Sequence, residues 1–404
     1  MFPKLRFKEF DENWKEVTLK NCITSIDSGW SPQCESYPAN SSEWGVLKTT
    51  SVDWSGFNSS FNKKLPLELT PRKEIEVKPL DILVTRAGPT ERVGVVSVVP
   101  HSVRSKLMIS DKLIRLKSNE ENNPLFLGIS LSSVKCQNQL QSKTSGLAKS
   151  QTNISQKILG EVLLKLPSKE EQTKIASFLS AVDEKISQLT KKHELLSQYK
   201  QGMMQKLFSQ QLRFKADDGS EFGEWEDKKL GEISKTFSGG TPQSSNKSFY
   251  EGTIPFIKSG EISKNTTEQC INDLALEKSS AKLVKKGDLL YALYGATSGQ
   301  VAISQIDGAI NQAVLCIRSE LNTKYLLNFL LLKKEEILTT YLQGGQGNLS
   351  ASILKEIYIP TPCLAEQTKI ANFLSAIDQK IEVVAQQIEQ AKQWKKGLLQ
   401  QMFV

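Results

Sequence analysis

Only two histidines, His101 and His193, occur among 404 residues, so a Ser/His/Asp relay or a histidine-based nuclease site has too few members to assemble. Six cysteines (Cys22, Cys34, Cys136, Cys270, Cys316 and Cys363) contain no CxxC pair. That argues against a zinc site or a disulfide framework and reads the thiols as buried and reduced, with no metal expected. Three short stretches imitate catalytic signatures. Asn123-Pro124-Leu125-Phe126 has one of the two prolines of an adenine-methyltransferase Asn-Pro-Pro-aromatic tetrapeptide, without a glycine-rich cofactor loop to match. Glu76-Val77-Lys78, with Asp53, has the residue types of a metal-dependent nuclease, but Lys285 repeats the lysine without the acid. The sequence GGQGNLS at 344–350 lacks the lysine of a phosphate-binding loop. None is complete, and the chain reads as a binder, not an enzyme.

Residues suited to phosphates and base edges are more plentiful. The net charge of +8 favours a polyanionic partner modestly. Polar, glycine-containing loops at 85–92, 143–153, 291–297 and 343–348 carry amide, hydroxyl and cationic groups of the kind that contact nucleic acid. The candidates in the first half are Trp30, Gln33, Lys48, Thr85, Arg86, Thr90, Arg92, Lys112, Lys143, Lys149, Gln151 and Asn153. Those in the second half are Gln243, Lys258, Ser259, Tyr291, Tyr294, Thr297, Asn311, Gln312, Gln346 and Asn348. Arg86 and Arg92 stand out, because a guanidinium can grip O6 and N7 of guanine together.

The elements that must position these loops are written twice. EQTKIASFLSAVDEKI at 171–186 returns as EQTKIANFLSAIDQKI at 366–381, differing only at Ser177/Asn372, Val182/Ile377 and Glu184/Gln379, and the match runs on to Phe208/Phe403. Chance does not produce such identity. Each copy is preceded by a more divergent body marked by shared anchors: LRFK at 5–8 and 212–215, Trp14 and Trp225, SGWSPQ at 28–33 and SGGTPQ at 238–243. A further anchor aligns VKPLDILVTRAGPT at 77–90 with VKKGDLLYALYGAT at 284–297. The interiors 34–76 and 244–283 hardly resemble one another. The expected organisation is a globular domain at 1–165, a helix at 166–210, a second domain at 211–361 and a second helix at 362–404. Within the domains, strand-like runs (DILVTRA, VGVVSVV, KLIRLKS; TIPFIKS, GDLLYALYG, GQVAIS, AVLCIRS) and helices at 124–140 and 323–342 predict a mixed α/β or α+β fold.

The repeated helices carry an unbroken seam. Ile175, Leu179, Val182, Ile186, Leu189, His193, Leu196, Lys200, Met203 and Leu207 alternate steps of four and three, and the second copy repeats the pattern from Ile370 to Met402. Pro167 and Pro362 stand just upstream, with acidic residues after them that suit a helix start. About 38 residues at about 1.5 Å each give a rod of ~57 Å. The connectivity predicts an antiparallel pair with a domain at each end, a two-fold pseudosymmetric dumbbell, and reads Lys200, Lys395 and His193 as register devices. Off the seam, Gln172, Lys174, Asp183 and Lys185 match Gln367, Lys369, Asp378 and Lys380. A surface repeated so closely is expected to dock two copies of one partner.

Divergent domains joined to a repeated Pro-x-x-x-Glu-Gln-x-x-Ile-(x)3-Leu helix resemble the specificity subunit of bacterial type I restriction-modification systems. Here the motif is Pro167, Glu171, Gln172, Ile175 and Leu179, then Pro362, Glu366, Gln367, Ile370 and Leu374. The resemblance covers essentially the whole chain. It implies two target-recognition domains, each reading half of a bipartite site in double-stranded DNA. The helices would act as ruler and as dock for two methyltransferase subunits, with translocase-nuclease subunits joining through them. S-adenosylmethionine, ATP and magnesium would belong to the partners, and this chain would bind no cofactor. The first half departs from the pattern at Leu80 and at Arg86-Ala87-Gly88-Pro89.

Two other readings compete. A fused or standalone restriction enzyme would need catalytic motifs that the chain lacks, and a two-headed adaptor for proteins would leave the loop chemistry unused. No apolar run approaches a membrane span and the first residues have no signal-peptide core, so a cytoplasmic protein is expected.

Overall fold

The two long helices form where the seam predicts, at Lys169–Phe208 and Leu364–Met402. The computed structural model describes residues 3–143, 152–341 and 349–403. The chain divides into two compact units, Met1–Gln188 with Ile388–Val404, and Leu189–Gln387. Each long helix contributes to both units. In unit 1, Ile175, Ala176, Leu179 and Val182 of the first helix share a core with Leu398 and Met402 of the second. In unit 2, Met204 and Leu207 share a core with Ile370, Ala371, Leu374 and Ile377. Within each unit, then, the start of one helix lies against the end of the other. The seam lysines reach across this packing: Lys395 Nζ lies 2.5 Å from Asp183 in unit 1, and Lys200 Nζ 2.7 Å from Asp378 in unit 2.

Unit 1 carries a four-stranded antiparallel sheet in the order Ile23–Ser28, Leu113–Ser118, Ile82–Thr85, Val96–Val98. A second sheet, Leu107–Met108, Gly45–Leu47 and Asn62–Lys64, contains the parallel pairing Leu107↔Gly45. Unit 2 repeats both: Ser234–Ser238, Val314–Ser319, Leu289–Ala292 and Val301–Ile303 form the first, and Phe256↔Ala309 is the parallel pairing of the second. All seven strand-like runs of the sequence hold strands, and the class is mixed α and β as expected. The short helices differ from expectation, since each breaks in two: Pro124–Leu131 and Val134–Ser142, then Thr323–Leu332 and Lys334–Tyr341. In unit 1 the break is a cap, where Ser133 Oγ accepts the Cys136 amide at 3.4 Å.

The shared SG turns owe their glycine to crowding. A Cβ on Gly29 would lie 1.9 Å from the Ile109 carbonyl oxygen, and one on Gly239 1.7 Å from that of Ile310. Beside each turn a hydroxyl binds the segment after the parallel strand: Ser31 Oγ donates to Asp111, and Thr241 Oγ1 to Gln312 Oε1 at 2.5 Å. These contacts tie the first and second sheets together just where the divergent interior begins.

Candidate nucleic-acid interface

The base of each unit is a buried carboxylate clamp. Glu171 is 1% exposed and accepts two bonds from Arg6, at 2.8 and 2.7 Å, and one from Trp14 Nε1 at 3.4 Å. Glu366, fully buried, receives the same from Arg213 at 3.1 and 2.8 Å and from Trp225 Nε1 at 2.9 Å. The adjacent glutamine joins the long helix to the short one. Gln172 Oε1 accepts the Asn123 amide at 3.0 Å while its Nε2 donates to Pro167 and Asn122; Gln367 bonds the Asn322 amide and Pro362 likewise. Gln172 and Gln367 were expected on an outward docking face and are instead buried, because their amides complete these contacts. Asp183 and Asp378 are likewise engaged, by the seam lysines, and Lys174 and Lys369 pair with Glu9 and Asp217 of their own unit's leading arm. Of the eight expected docking residues, Lys185 and Lys380 are exposed with no ion pair among the described residues.

Two of the imitation catalytic sites make structural contacts, and the third, at 344–350, lies largely outside the described residues. Asn123 Oδ1 accepts the amides of Leu125 and Phe126, capping a helix whose Phe126 packs edge-on against Trp14. Asp53 pairs with Arg92 and Glu76 with Lys78. No group of three or more His, Cys, Asp or Glu residues suited to a metal occurs among the described residues. The expectation that all six thiols are buried is corrected at Cys363, which is exposed, and at Cys34 and Cys270, which are half-buried.

In unit 1 the loop 85–92 separates into spent and free groups. Thr85 is fully buried, its hydroxyl donating to the Arg92 carbonyl and accepting the Val95 amide at 2.9 Å, so it offers nothing outward. Arg92 is occupied: Nη1 reaches Asp53 at 2.5 Å and Nη2 the carbonyl of Val52 at 2.7 Å, which pins the 49–53 segment to the sheet. Both were expected at bases; the structure places Thr85 inside the unit and Arg92 against Asp53. Arg86 is different. It forms no ion pair among the described residues, and its Nε is buried without a hydrogen-bond partner. Asn153, whose strand pairs with Ala87–Gly88, has a buried Oδ1 in the same condition. Thr90 and Thr152 share a hydroxyl contact of 2.7 Å nearby. Gln33 and Lys112 are exposed, Lys48 half-buried, and Lys143 lies 3.8 Å from Glu161. The Trp30 ring is covered by the Arg72 guanidinium at 4.3 Å. Lys149 and Gln151 lie outside the described residues, as do Gln346 and Asn348 of unit 2.

In unit 2 the same backbone holds other side chains. The Leu349 amide donates to the Leu293 carbonyl at 2.8 Å, as Ile154 does to Arg86 at 3.0 Å, so Leu293 takes the place of Arg86 and is buried. Tyr291, expected to face DNA, is fully buried; burial pushes its hydroxyl up to about 12, and that group has no partner. The run Leu289 to Leu293 is buried throughout, which places the tyrosine inside. Tyr294 and Thr297 are half-exposed at the strand's end.

Four other candidates of unit 2 converge. Lys258 and Asn311 line an open cleft of about 410 Å³, Gln312 is held at its edge through Thr241, and Gln243 is exposed on the turn beside it. Ser259 follows Lys258 in a single helical turn. Lys247 and Gln269 complete the cleft and were missed by sequence reasoning, since they stand in the interior 244–283 that has no counterpart to align with. Arg6 and Arg213 were also missed as functional partners of the clamp, although the repeated LRFK anchors carry them.

Comparison with known proteins gives this geometry a family. Residues 12–197 and 223–393 match the type I restriction modification DNA specificity domain. A stretch of 171 residues is 40% identical to the EcoEI type I restriction enzyme specificity subunit of Escherichia coli, covering 42% of this chain and 29% of that protein. The MjaVIII specificity subunit of Methanocaldococcus jannaschii is 29% identical over 348 residues, 81% of this chain and 79% of the relative. The crystal structure of the type I restriction-modification S subunit from M. genitalium has the same fold, with a TM-score of 0.63 at 17% identity over 100% of this chain and 99% of the other. Two matched domains, two clamped helices and the paired sheets agree: the chain belongs to the family of type I restriction-modification DNA specificity subunits.

Proposed function

We propose that this chain is the non-catalytic reader of a type I restriction-modification complex, each unit recognising one half of a bipartite site in double-stranded DNA. One observation carries the reading: the two units share their scaffold down to individual bonds, while the interiors 34–76 and 244–283 and the side chains at Arg86/Leu293 differ. A scaffold copied so closely serves two identical partners, and divergence concentrated in the interiors and one loop serves two different sequences. The identical partners are two methyltransferase subunits on the helices, with Lys185 and Lys380 as free cationic groups there. Translocase-nuclease subunits join through them. S-adenosylmethionine, ATP and magnesium reside in those partners, the helices set the spacer, and the complex works in the cytoplasm. Support for direct base contact comes from Arg86 and Asn153 in unit 1 and from the cleft in unit 2.

The test is reconstitution. The purified chain alone should neither cut nor methylate DNA, and adding the methyltransferase subunits and S-adenosylmethionine should yield adenine methylation at a two-part site. Methyl transfer by the chain alone would refute the assignment.

A further inference from the structure

We infer that unit 2 reads a guanine through the donor-rich cleft formed by Lys247, Lys258 and Asn311. The inference rests on the proposed reading of DNA by the two units and deepens it.

The cleft's charge is unopposed. None of its lining residues is acidic, and neither Lys247 nor Lys258 forms an ion pair among the described residues. The nearest carboxylate in sequence to Lys258, that of Glu261, is 6% exposed and spent on backbone: it accepts the Lys258 amide at 3.2 Å and the Glu268 amide at 2.8 Å. Asn311 is oriented, because its Oδ1 accepts the Ala313 amide at 3.1 Å, which leaves Nδ2 as a donor. The Tyr250 hydroxyl is turned away, donating to the Pro242 carbonyl at 2.7 Å, and Phe256, 1% exposed, closes the floor. Two lysines and an asparagine with an unspent amide N–H therefore line one open space. Guanine's major-groove edge offers two acceptors, N7 and O6, to such donors; adenine presents a donor at N6, cytosine one at N4, and thymine a single acceptor, O4, beside a methyl group. The corresponding position of unit 1 differs in charge, since the anionic Asp111 stands where unit 2 has the neutral Gln312, each held by its turn hydroxyl. The two units are thus built for different bases at this place.

A phosphate offers acceptors as well, so the experiment separates the two. The complex of the full chain with its methyltransferase subunits is used to select targets from randomised duplexes. The parent should select a two-part site with guanine in one half. Lys258→Ala and Asn311→Ala should keep the other half and lose the guanine preference, by roughly tenfold or more. With the unaltered protein, 7-deazaguanine at that position, which lacks the N7 acceptor, should weaken binding comparably. Variants that weaken all sequences equally, with 7-deazaguanine bound as well as guanine, would place a phosphate in the cleft and overturn the inference. A two-part site whose half assigned to unit 2 contains no guanine would overturn it too, leaving the general reading intact. A parent complex that selects no two-part site removes both.

Discussion

At the scale of residues, neighbouring arginines have opposite fates. Arg92 is tied to Asp53 and Val52, while Arg86, six positions earlier, has a buried Nε with no partner. Arg86→Ala should therefore relax one half-site by about 1–3 kcal/mol of discrimination, whereas Arg92→Ala should loosen the 49–53 segment and leave base preference alone; selection from randomised duplexes distinguishes them. Loss of preference in Arg92→Ala with none in Arg86→Ala would reverse the assignment. The sequence shows two equivalent arginines in one loop, and the partner that separates them lies 39 residues away, beyond any local pattern. Other placements were legible and went unread. Glu171 lies four residues before Ile175, on the seam face, so the helical period already turns it inward. Tyr291 sits in the apolar run LLYAL, the signature of a strand covered on both faces. The clamp gives a second prediction. Removing the carboxylate in Glu171→Ala, or its partner in Arg6→Ala, should destabilise unit 1 by roughly 2–4 kcal/mol. Urea unfolding measures it, and a change below about 1 kcal/mol would mean the clamp is dispensable.

At the scale of elements, the repeat made the scaffold readable. Long helices, sheet strands and anchor turns appear in sequence because apolar periodicity and duplication both mark them. Of the second sheets only the strand in TIPFIKS was readable, since their other strands, of two or three residues, carry too little pattern. Leu80 shows what the duplicated scaffold costs when a side chain drifts. It holds φ at 68°, where its counterpart Gly287 has φ of 96°. Both precede an aspartate whose carboxylate accepts the amide three residues earlier, Lys78 to Asp81 and Lys285 to Asp288, each at 2.8 Å. The turn is therefore imposed, and leucine suffers the left-handed penalty of about 1–2 kcal/mol. Leu80→Gly should raise the stability of unit 1 by about 1 kcal/mol, read as a higher denaturant midpoint. A lower midpoint would show that the half-buried leucine side chain contributes more than the strain removes.

At the scale of the whole molecule, the account rests on one idea, that a duplicated scaffold presents two readers joined by paired helices. A four-residue insertion near Gln198 lengthens the first helix by ~6 Å, between one and two base pairs at ~3.4 Å each, and interrupts the seam at some cost in stability. The measurement that tests the idea most directly is the methylated motif, determined by methylome sequencing for the parent chain and the insertion variant in otherwise identical cells. The parent should give two specified blocks separated by an unspecified spacer, and the variant should give the same two blocks with a longer spacer. One continuous block from the parent, or the original spacer from a variant that still methylates, would contradict the account.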